Sequence, residues 1–179
     1  LVVAGQELAG VSAFLLAATG RLATDAGDLK TLGLVLPERA SKVRRRAAYL
    51  DAAQLDGATA EAVEGAVHDG VGLIALDHTE TLADSGLRGR VRRELAAAGA
   101  RGVAVVLGAV GDAAALGEAE ALLDGPARVL ELAPAAGDPD GTAGVTSPGA
   151  ARKTGRSASD ASGPAHHTSS DDSKKRVLA

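Results

Sequence analysis

An α/β fold with a largely parallel sheet flanked by helices is predicted by this sequence, on three observations. Short apolar runs alternate with amphipathic stretches from residue 1 to about residue 133. Several of the runs are continuously apolar, which is typical of strands buried on both faces of a parallel sheet. Ala, Leu and Val supply nearly all of the 46% hydrophobic residues, and such side chains let helices pack closely onto a sheet.

The elements follow one another in a regular order. The apolar runs predict strands at residues 1–4, 31–36, 47–51, 71–77, 102–108 and 128–132. The amphipathic stretches between them predict helices at residues 12–19, 58–68, 85–98 and 113–123. Since each helix can carry the chain back to the start of the next strand, the strands are expected to run parallel.

The composition changes sharply at residue 134. From there Ala, Gly, Pro, Ser, Thr and Asp dominate, and large apolar residues almost vanish until Val177 and Leu178. Such a segment buries too little apolar surface to offset the entropy lost on ordering. We therefore expect one domain at residues 1–133 and a disordered, low-complexity tail at residues 134–179.

Composition also excludes several classes of function. The chain has no Cys, so it can form neither a disulfide framework nor a thiolate metal site. Phe14 and Tyr49 are its only aromatic residues and its net charge is -4, which argues against a nucleic-acid partner. The apolar runs are far shorter than the roughly 18 residues that span a bilayer. These features fit a cytoplasmic protein. Because the chain has no Met and begins inside an apolar run, we expect its N-terminus to be incomplete.

A candidate phosphate-binding loop connects the first predicted strand to the first helix. Residues 5–12 read G-Q-E-L-A-G-V-S, the spacing of G-x-x-x-x-G-K-[ST] with Val11 at the lysine position. Two glycines let the backbone wrap a phosphate, and the helix N-terminus directs its amides and dipole at the anion. The predicted phosphate-binding residues are Gly5, Gly10, Val11, Ser12 and Ala13. Loss of the lysine ammonium removes about 1.5–3 kcal/mol of binding. The alternative is an ordinary tight turn between strand and helix.

A candidate magnesium site involves the end of the fourth predicted strand. The apolar run at residues 71–77 ends in Asp77, the form of a strand that presents a carboxylate toward Mg²⁺. Together with the hydroxyl of Ser12, Asp77 is the predicted metal ligand. The alternative is a buried strand followed by an Asp in the next loop.

The order of these motifs resembles that of the ATP-binding subunits of ABC transporters. That family carries D-E-P-T-x-x-L-D, a helix and an apolar strand, and residues 77–84 here read D-H-T-E-T-L-A-D before a basic helix and the strand at 102–108. Residues 14–22 resemble its L-L-x-x-L-x-G helix and residues 25–33 its glycine-bounded hairpin. The resemblance covers residues 1–133. It implies a P-loop NTPase-like fold, ATP and Mg²⁺ as cofactors, and an integral-membrane transporter subunit as partner. It also implies a possible homo- or heterodimer with another ATP-binding subunit, peripheral at the inner face of the membrane.

The departures from that family predict weak or absent ATP hydrolysis. Val11 replaces the lysine, His78 stands at the position of the glutamate that positions water, and Ala109 and Val110 stand where the switch histidine belongs. The signature L-S-G-G-Q is missing, and the stretch from Val11 to Asp77 is too short for the usual helical subdomain. His78 acting as a general base is a competing interpretation, since histidine titrates near neutrality. The alternative function is a non-catalytic α/β interaction or scaffold module that kept the fold and lost the nucleotide.

Overall fold

The structure is a computed structural model that describes residues 1–24 and 27–133; the tail predicted at residues 134–179 lies outside them. Its strands are β1 (Val2–Gly5), β2 (Leu29–Thr31), β3 (Leu34–Leu36), β4 (Ala47–Asp51), β5 (Leu73–Asp77), β6 (Ala104–Val110) and β7 (Val129–Leu132). Its α-helices are α1 (Val11–Ala18), α2 (Ala40–Arg44), α3 (Ala52–Leu55), α4 (Thr59–His68), α5 (Ser85–Ala100) and α6 (Ala113–Glu120).

Five of the strands form one sheet in the order β4-β5-β6-β1-β7, and every neighbouring pair is parallel. The chain leaves β1 for the edge strand β4, returns through β5 and β6, and passes β1 again to reach β7. The predicted fold class, a mainly parallel sheet flanked by helices, is confirmed.

Helices cover both faces of this sheet. On one face α1 packs against the sheet, with Val11 and Leu15 in contact with Val3 and Ala75. On the other face α4, α5 and α6 enclose a larger cluster that includes Val2. Val2 and Val3 point to opposite faces and both are fully buried, which is why the strand is apolar without alternation.

The single strand predicted at residues 31–36 is wrong, because the chain reverses in the middle of it. Leu32 and Gly33 have φ values of 50° and 76°, and two consecutive residues of positive φ make the tight turn of a β-hairpin. β2 and β3 pair across that turn as a separate antiparallel ribbon. The hairpin that the family resemblance placed at residues 25–33 therefore lies slightly further along the chain.

The connection between β4 and β5 is compact. It holds α3, a 3₁₀ turn at Asp56–Ala58 and α4, which packs on the sheet. Residues 52–72 thus place only these short helical elements between the two neighbouring strands. Among the residues described, no helix combines the length and apolarity needed to cross a bilayer.

Candidate functional site

The predicted phosphate loop lies at the carboxyl edge of the parallel sheet, beside the ends of β5 and β6. In open α/β sheets ligands bind outside this edge, where the strand order reverses. An open cleft of about 480 Å³ is present there. It is lined by Gln6, Glu7, Leu8, Gly10, Val11, Ser12, Ala13, His78, Glu80 and Val110.

Two glycines shape the loop for different reasons. A Cβ on Gly5 would lie 2.7 Å from Ala9 Cβ and 3.0 Å from the carbonyl oxygen of Leu132, so the loop can fold back on the strand end only with glycine there. Gly10 has a φ of 81° and is the N-cap residue of α1, with no side-chain hydrogen bond to the first turn. Nothing lies within 4 Å of the place a Cβ on Gly10 would take. The first amides of α1 and the positive end of its dipole are therefore available to an anion.

Val11 occupies the lysine position as a core residue. Its side chain is 2% exposed and belongs to the cluster with Val3, Leu15 and Ala75. The residue thus stabilises the packing of α1 on the sheet and brings no charge to the cleft.

The charge of the cleft opposes a polyphosphate. Its lining includes the carboxylates of Glu7 and Glu80 and contains neither Lys nor Arg. Glu80 is held in place, because its Oε2 accepts a hydrogen bond of 3.1 Å from the amide of Val110. His78 is the one side chain of the lining that can become a cation.

Asp77 lies at the end of β5, as predicted, and is fully buried. Its Oδ2 accepts a hydrogen bond of 2.8 Å from the Tyr49 hydroxyl, and its Oδ1 accepts one of 2.9 Å from the amide of His78. Burial and then the hydrogen bond to Asp77 raise the pKa of Tyr49 well above its ordinary value. Both carboxylate oxygens are thus engaged inside the protein, and Asp77 is absent from the cleft lining.

These contacts do not fit Asp77 as a magnesium ligand. A directly bound Mg²⁺ needs carboxylate oxygens that reach the metal and its waters. In residues 1–24 and 27–133 no group of three or more His, Asp or Glu side chains could hold a metal ion.

His78 is oriented by a contact that was not predicted. Its Nδ1 lies 3.1 Å from Oδ1 of Asp51, and its φ of 53° places the residue in the left-handed region. Asp51 also accepts hydrogen bonds from the amide of Ala53 and from Nε2 of Gln54. With Nδ1 occupied, Nε2 is the ring atom of His78 with no hydrogen-bond partner in the described residues.

The structure brings most of the predicted site residues together. Gly10, Val11, Ser12, Ala13 and His78 line one cleft, whereas Gly5 lines a neighbouring cavity of about 500 Å³ at the ends of β1 and β7.

Sequence reasoning missed the roles of Tyr49, Asp51 and Glu80. A signal for Asp51 was present, because the strands at 47–51 and 71–77 both end in Asp. The carboxyl ends of neighbouring parallel strands meet at one edge, and Asp51 is indeed paired with Asp77 in the register of β4 and β5.

No protein-family model matches this chain, and no curated protein sequence matches it. Among solved structures it is similar to the ATP-binding cassette MJ0796, determined as a dimer in a post-hydrolysis state bound to ADP and Pi. The similarity has a TM-score of 0.53 at 12% identity and covers 73% of this chain and 79% of that chain. At this identity the likeness concerns the fold. The described chain therefore has the P-loop NTPase-like fold found in an ATP-binding cassette, a mainly parallel five-stranded sheet flanked by helices.

Proposed function

We propose that this chain is an ABC-type nucleotide-binding module, the ATP-binding subunit of a transporter whose integral-membrane component is a separate chain. The observation that carries the proposal is the junction of β1 and α1, where residues 6–10 form an open loop and α1 begins after Gly10 without a side-chain cap. In this fold that junction is where the phosphates of a nucleotide bind. The dimeric state of the similar cassette supports pairing with another ATP-binding subunit.

The binding is expected to be weak. The amides of Val11, Ser12 and Ala13 lie in the first turn of α1 and can donate to phosphate oxygens, and the Ser12 hydroxyl can add a further hydrogen bond. Without the lysine, about 1.5–3 kcal/mol of charge-assisted binding is missing. Glu7 and Glu80 in the lining weaken the attraction further. The loss of the lysine alone would raise the dissociation constant of a 1 μM site to about 0.01–0.2 mM, and the two carboxylates would raise it further.

Hydrolysis is expected to be negligible. Phosphoryl transfer depends on positioning and on neutralising the charge of the transferred group. Val11 supplies no ammonium, the carboxylate of Asp77 is engaged by Tyr49, and His78 stands where the family has a glutamate. In this proposal the intact catalytic groups come from the partner ATP-binding subunit.

A non-catalytic interaction module is the second candidate. Two observations favour this candidate. Val11, at the position of the lysine, is a core residue, and Asp77, the carboxylate expected to face a metal, accepts a hydrogen bond from Tyr49. Such a module needs only the packed sheet and helices.

The two candidates are separated by an ATP titration followed by amide NMR shifts, with Ser12→Asp as the test variant. Ser12→Asp places a negative charge in the first turn of α1, so it repels phosphate while leaving the helix as stable or more stable. Ser85→Asp is the matched control, because Ser85 lies in the first turn of α5. We expect ATP to shift residues of the loop saturably in the wild type and in Ser85→Asp. In Ser12→Asp the dissociation constant should rise at least about tenfold.

The contrary results have distinct meanings. If ATP causes no saturable shift at millimolar concentration, the interaction module is the better description. If Ser12→Asp binds ATP as tightly as the control, the nucleotide does not bind at the β1–α1 junction.

A further inference from the structure

A groove of about 450 Å³ runs along the edge strand β4, between that strand and α4. It is separate from the cleft at residues 5–12, and the two linings share no residue. Arg21, Arg44 and Arg45 line the groove, and Asp69 is the one acidic residue in its lining. The groove thus carries a positive charge, although the chain as a whole has a net charge of -4.

Arg21 is held in a fixed position in this groove. One of its terminal nitrogens donates to the carbonyl oxygen of Thr19 at 3.3 Å, and the other donates to that of Ala47 at 3.2 Å. The two acceptors belong to the end of α1 and to the first residue of β4. Both acceptors are uncharged, so the guanidinium is positioned but its charge is not neutralised.

The groove arginines differ from those of α5 in their partners. Arg88, Arg90 and Arg92 each lie within 4 Å of a carboxylate, on Glu118, Glu61 and Asp124 respectively. Over residues 1–24 and 27–133, no ion pair involves an arginine of the groove. Burial and then the nearby charge of Arg44 lower the pKa of Arg21. The groove therefore holds like charges that repel one another, and a bound anion would relieve that repulsion.

We propose that Arg21, Arg44 and Arg45 form a second anion-binding site, for the phosphate group of a phosphate ester or a lipid headgroup. The planar guanidinium offers paired N–H donors that match the spacing of phosphate oxygens. Arg21 supplies a pre-positioned donor set, and the exposed side chains of Arg44 and Arg45, at the C-terminal end of α2, can close on the ligand. The site does not depend on the function proposed for the cleft.

The direct test is a titration of the full chain with inorganic phosphate, followed by the Nε–H signals of the arginines in NMR. We expect the signals of Arg21 and Arg44 to shift saturably. The double variant Arg21→Gln/Arg44→Gln should bind at least about tenfold more weakly. Arg101→Gln is the matched control, since Arg101 is an exposed arginine at the end of α5 outside the groove. Ser12→Asp should leave these shifts unchanged, which separates this site from the cleft.

Thermal unfolding of Arg44→Gln distinguishes a binding role from a structural one. Removing the charge beside Arg21 should leave the Tm unchanged or higher without phosphate, because repulsion is lost. Phosphate should then raise the Tm of the wild type but not of the variant. A lower Tm for Arg44→Gln both with and without phosphate would mean that Arg44 only supports the fold, and would overturn the proposal.

Vesicles identify the source of the phosphate group. Phosphatidylcholine vesicles with and without a phosphatidylinositol phosphate are sedimented with the protein. Cosedimentation that needs the phosphorylated lipid and is lost in the double variant assigns the site to a headgroup. Saturable binding of free phosphate without cosedimentation assigns it to a soluble ester. NMR shifts that rise linearly with phosphate concentration would contradict the proposal, and so would an Arg101→Gln variant that weakens phosphate binding as much as the double variant does. In either case the arginines would serve to keep the edge strand solvated.

Discussion

At the scale of single residues, the hydroxyl of Tyr49 and the carboxylate of Asp77 form a hydrogen bond across β4 and β5, where Asp77 has no exposed surface. The carboxylate depends on this donor, because a buried charge without partners is strongly destabilising. The phenol is affected in turn: its burial raises its pKa, and the hydrogen bond to Asp77 and the nearby negative charge raise that pKa further.

This pair predicts a pH dependence of stability on the alkaline side. The pKa of Tyr49 is raised in the folded state above its ordinary value of 10.0, so the folded state retains a proton that the unfolded state releases. Its contribution to the free energy of unfolding is complete below about pH 10 and is lost as the pH rises further. Because Tyr49 is the only tyrosine, absorbance of the tyrosinate reports on it alone.

Tyr49→Phe is the corresponding substitution. It should lower the free energy of unfolding by about 1–3 kcal/mol at neutral pH, since the carboxylate loses a donor. The free energy of unfolding should also fall less between about pH 8 and about pH 11 in the variant than in the wild type, because the contribution of Tyr49 is absent. Denaturant unfolding at both pH values measures this difference. A folded protein whose phenol titrates at its ordinary pKa would contradict the assignment.

At the scale of elements, the close packing of α1 over β5 and β6 depends on a residue without a side chain. A Cβ on Gly108 of β6 would lie 2.6 Å from Oδ1 of Asp77, 3.0 Å from a methyl carbon of Leu15 and 3.1 Å from one of Val11. The segment after β5 is also hydrogen-bonded to β6, because the Thr79 hydroxyl donates to the carbonyl oxygen of Gly108 at 2.9 Å.

Two glycine-to-alanine substitutions should therefore have opposite effects on stability. Gly108→Ala should destabilise by about 1–3 kcal/mol, because the methyl group displaces α1 or the buried carboxylate. Gly117→Ala, in the interior of α6 with nothing within 4 Å of the new Cβ, should stabilise by about 0.5–1 kcal/mol. Denaturant unfolding of both variants measures the difference. Equal effects of the same sign would show that α1 does not pack over β6 as described.

At the scale of the whole molecule, the fold of an ATP-binding cassette is combined with a cleft that carries two carboxylates and no lysine or arginine. Under the proposed function several contributions to phosphoryl transfer are weakened together, so we expect that restoring one of them is not sufficient.

The isolated chain should accordingly release no phosphate from Mg-ATP above the background without protein. His78→Glu, which introduces the glutamate found at the matching position of ABC ATP-binding subunits, should remain inactive because Val11 still supplies no charge. A coupled assay of phosphate release measures this. Turnover that disappears in Ser12→Asp would contradict the prediction and would assign hydrolysis to this chain alone.

The parts of this molecule that could be predicted from sequence are those set by local pattern. β4 was predicted with its observed bounds, because its apolar run ends at a charged residue. The turn between β2 and β3 could not be placed from local pattern, since Leu32 adopts a positive φ that an apolar residue does not signal. α2 and α3 have five and four residues, which is too short for a helical period to show.

The site was predicted less completely than the fold. The spacing of residues 5–12 predicts the loop between β1 and α1, and the sequence shows directly that Val11 stands at the lysine position. The burial of Val11 against Ala75 and the contact of Tyr49 with Asp77 depend on the order and register of the strands. Those pairings join residues far apart in sequence and cannot be derived from local pattern.

The strand order also has a consequence for how the chain folds during synthesis. β1 pairs with β6 and β7, and its residue Val2 is aligned with Leu107 and Val129. β4 and β5 can pair soon after they emerge, but β1 must wait until more than a hundred residues have followed it. Long-range parallel pairing is slow, and an unpaired apolar strand is open to association with other chains. The segment that carries the candidate phosphate loop is thus made before its partner strands and paired after them: β6 joins β1 to β5, and β1 remains an edge strand until β7 pairs with it.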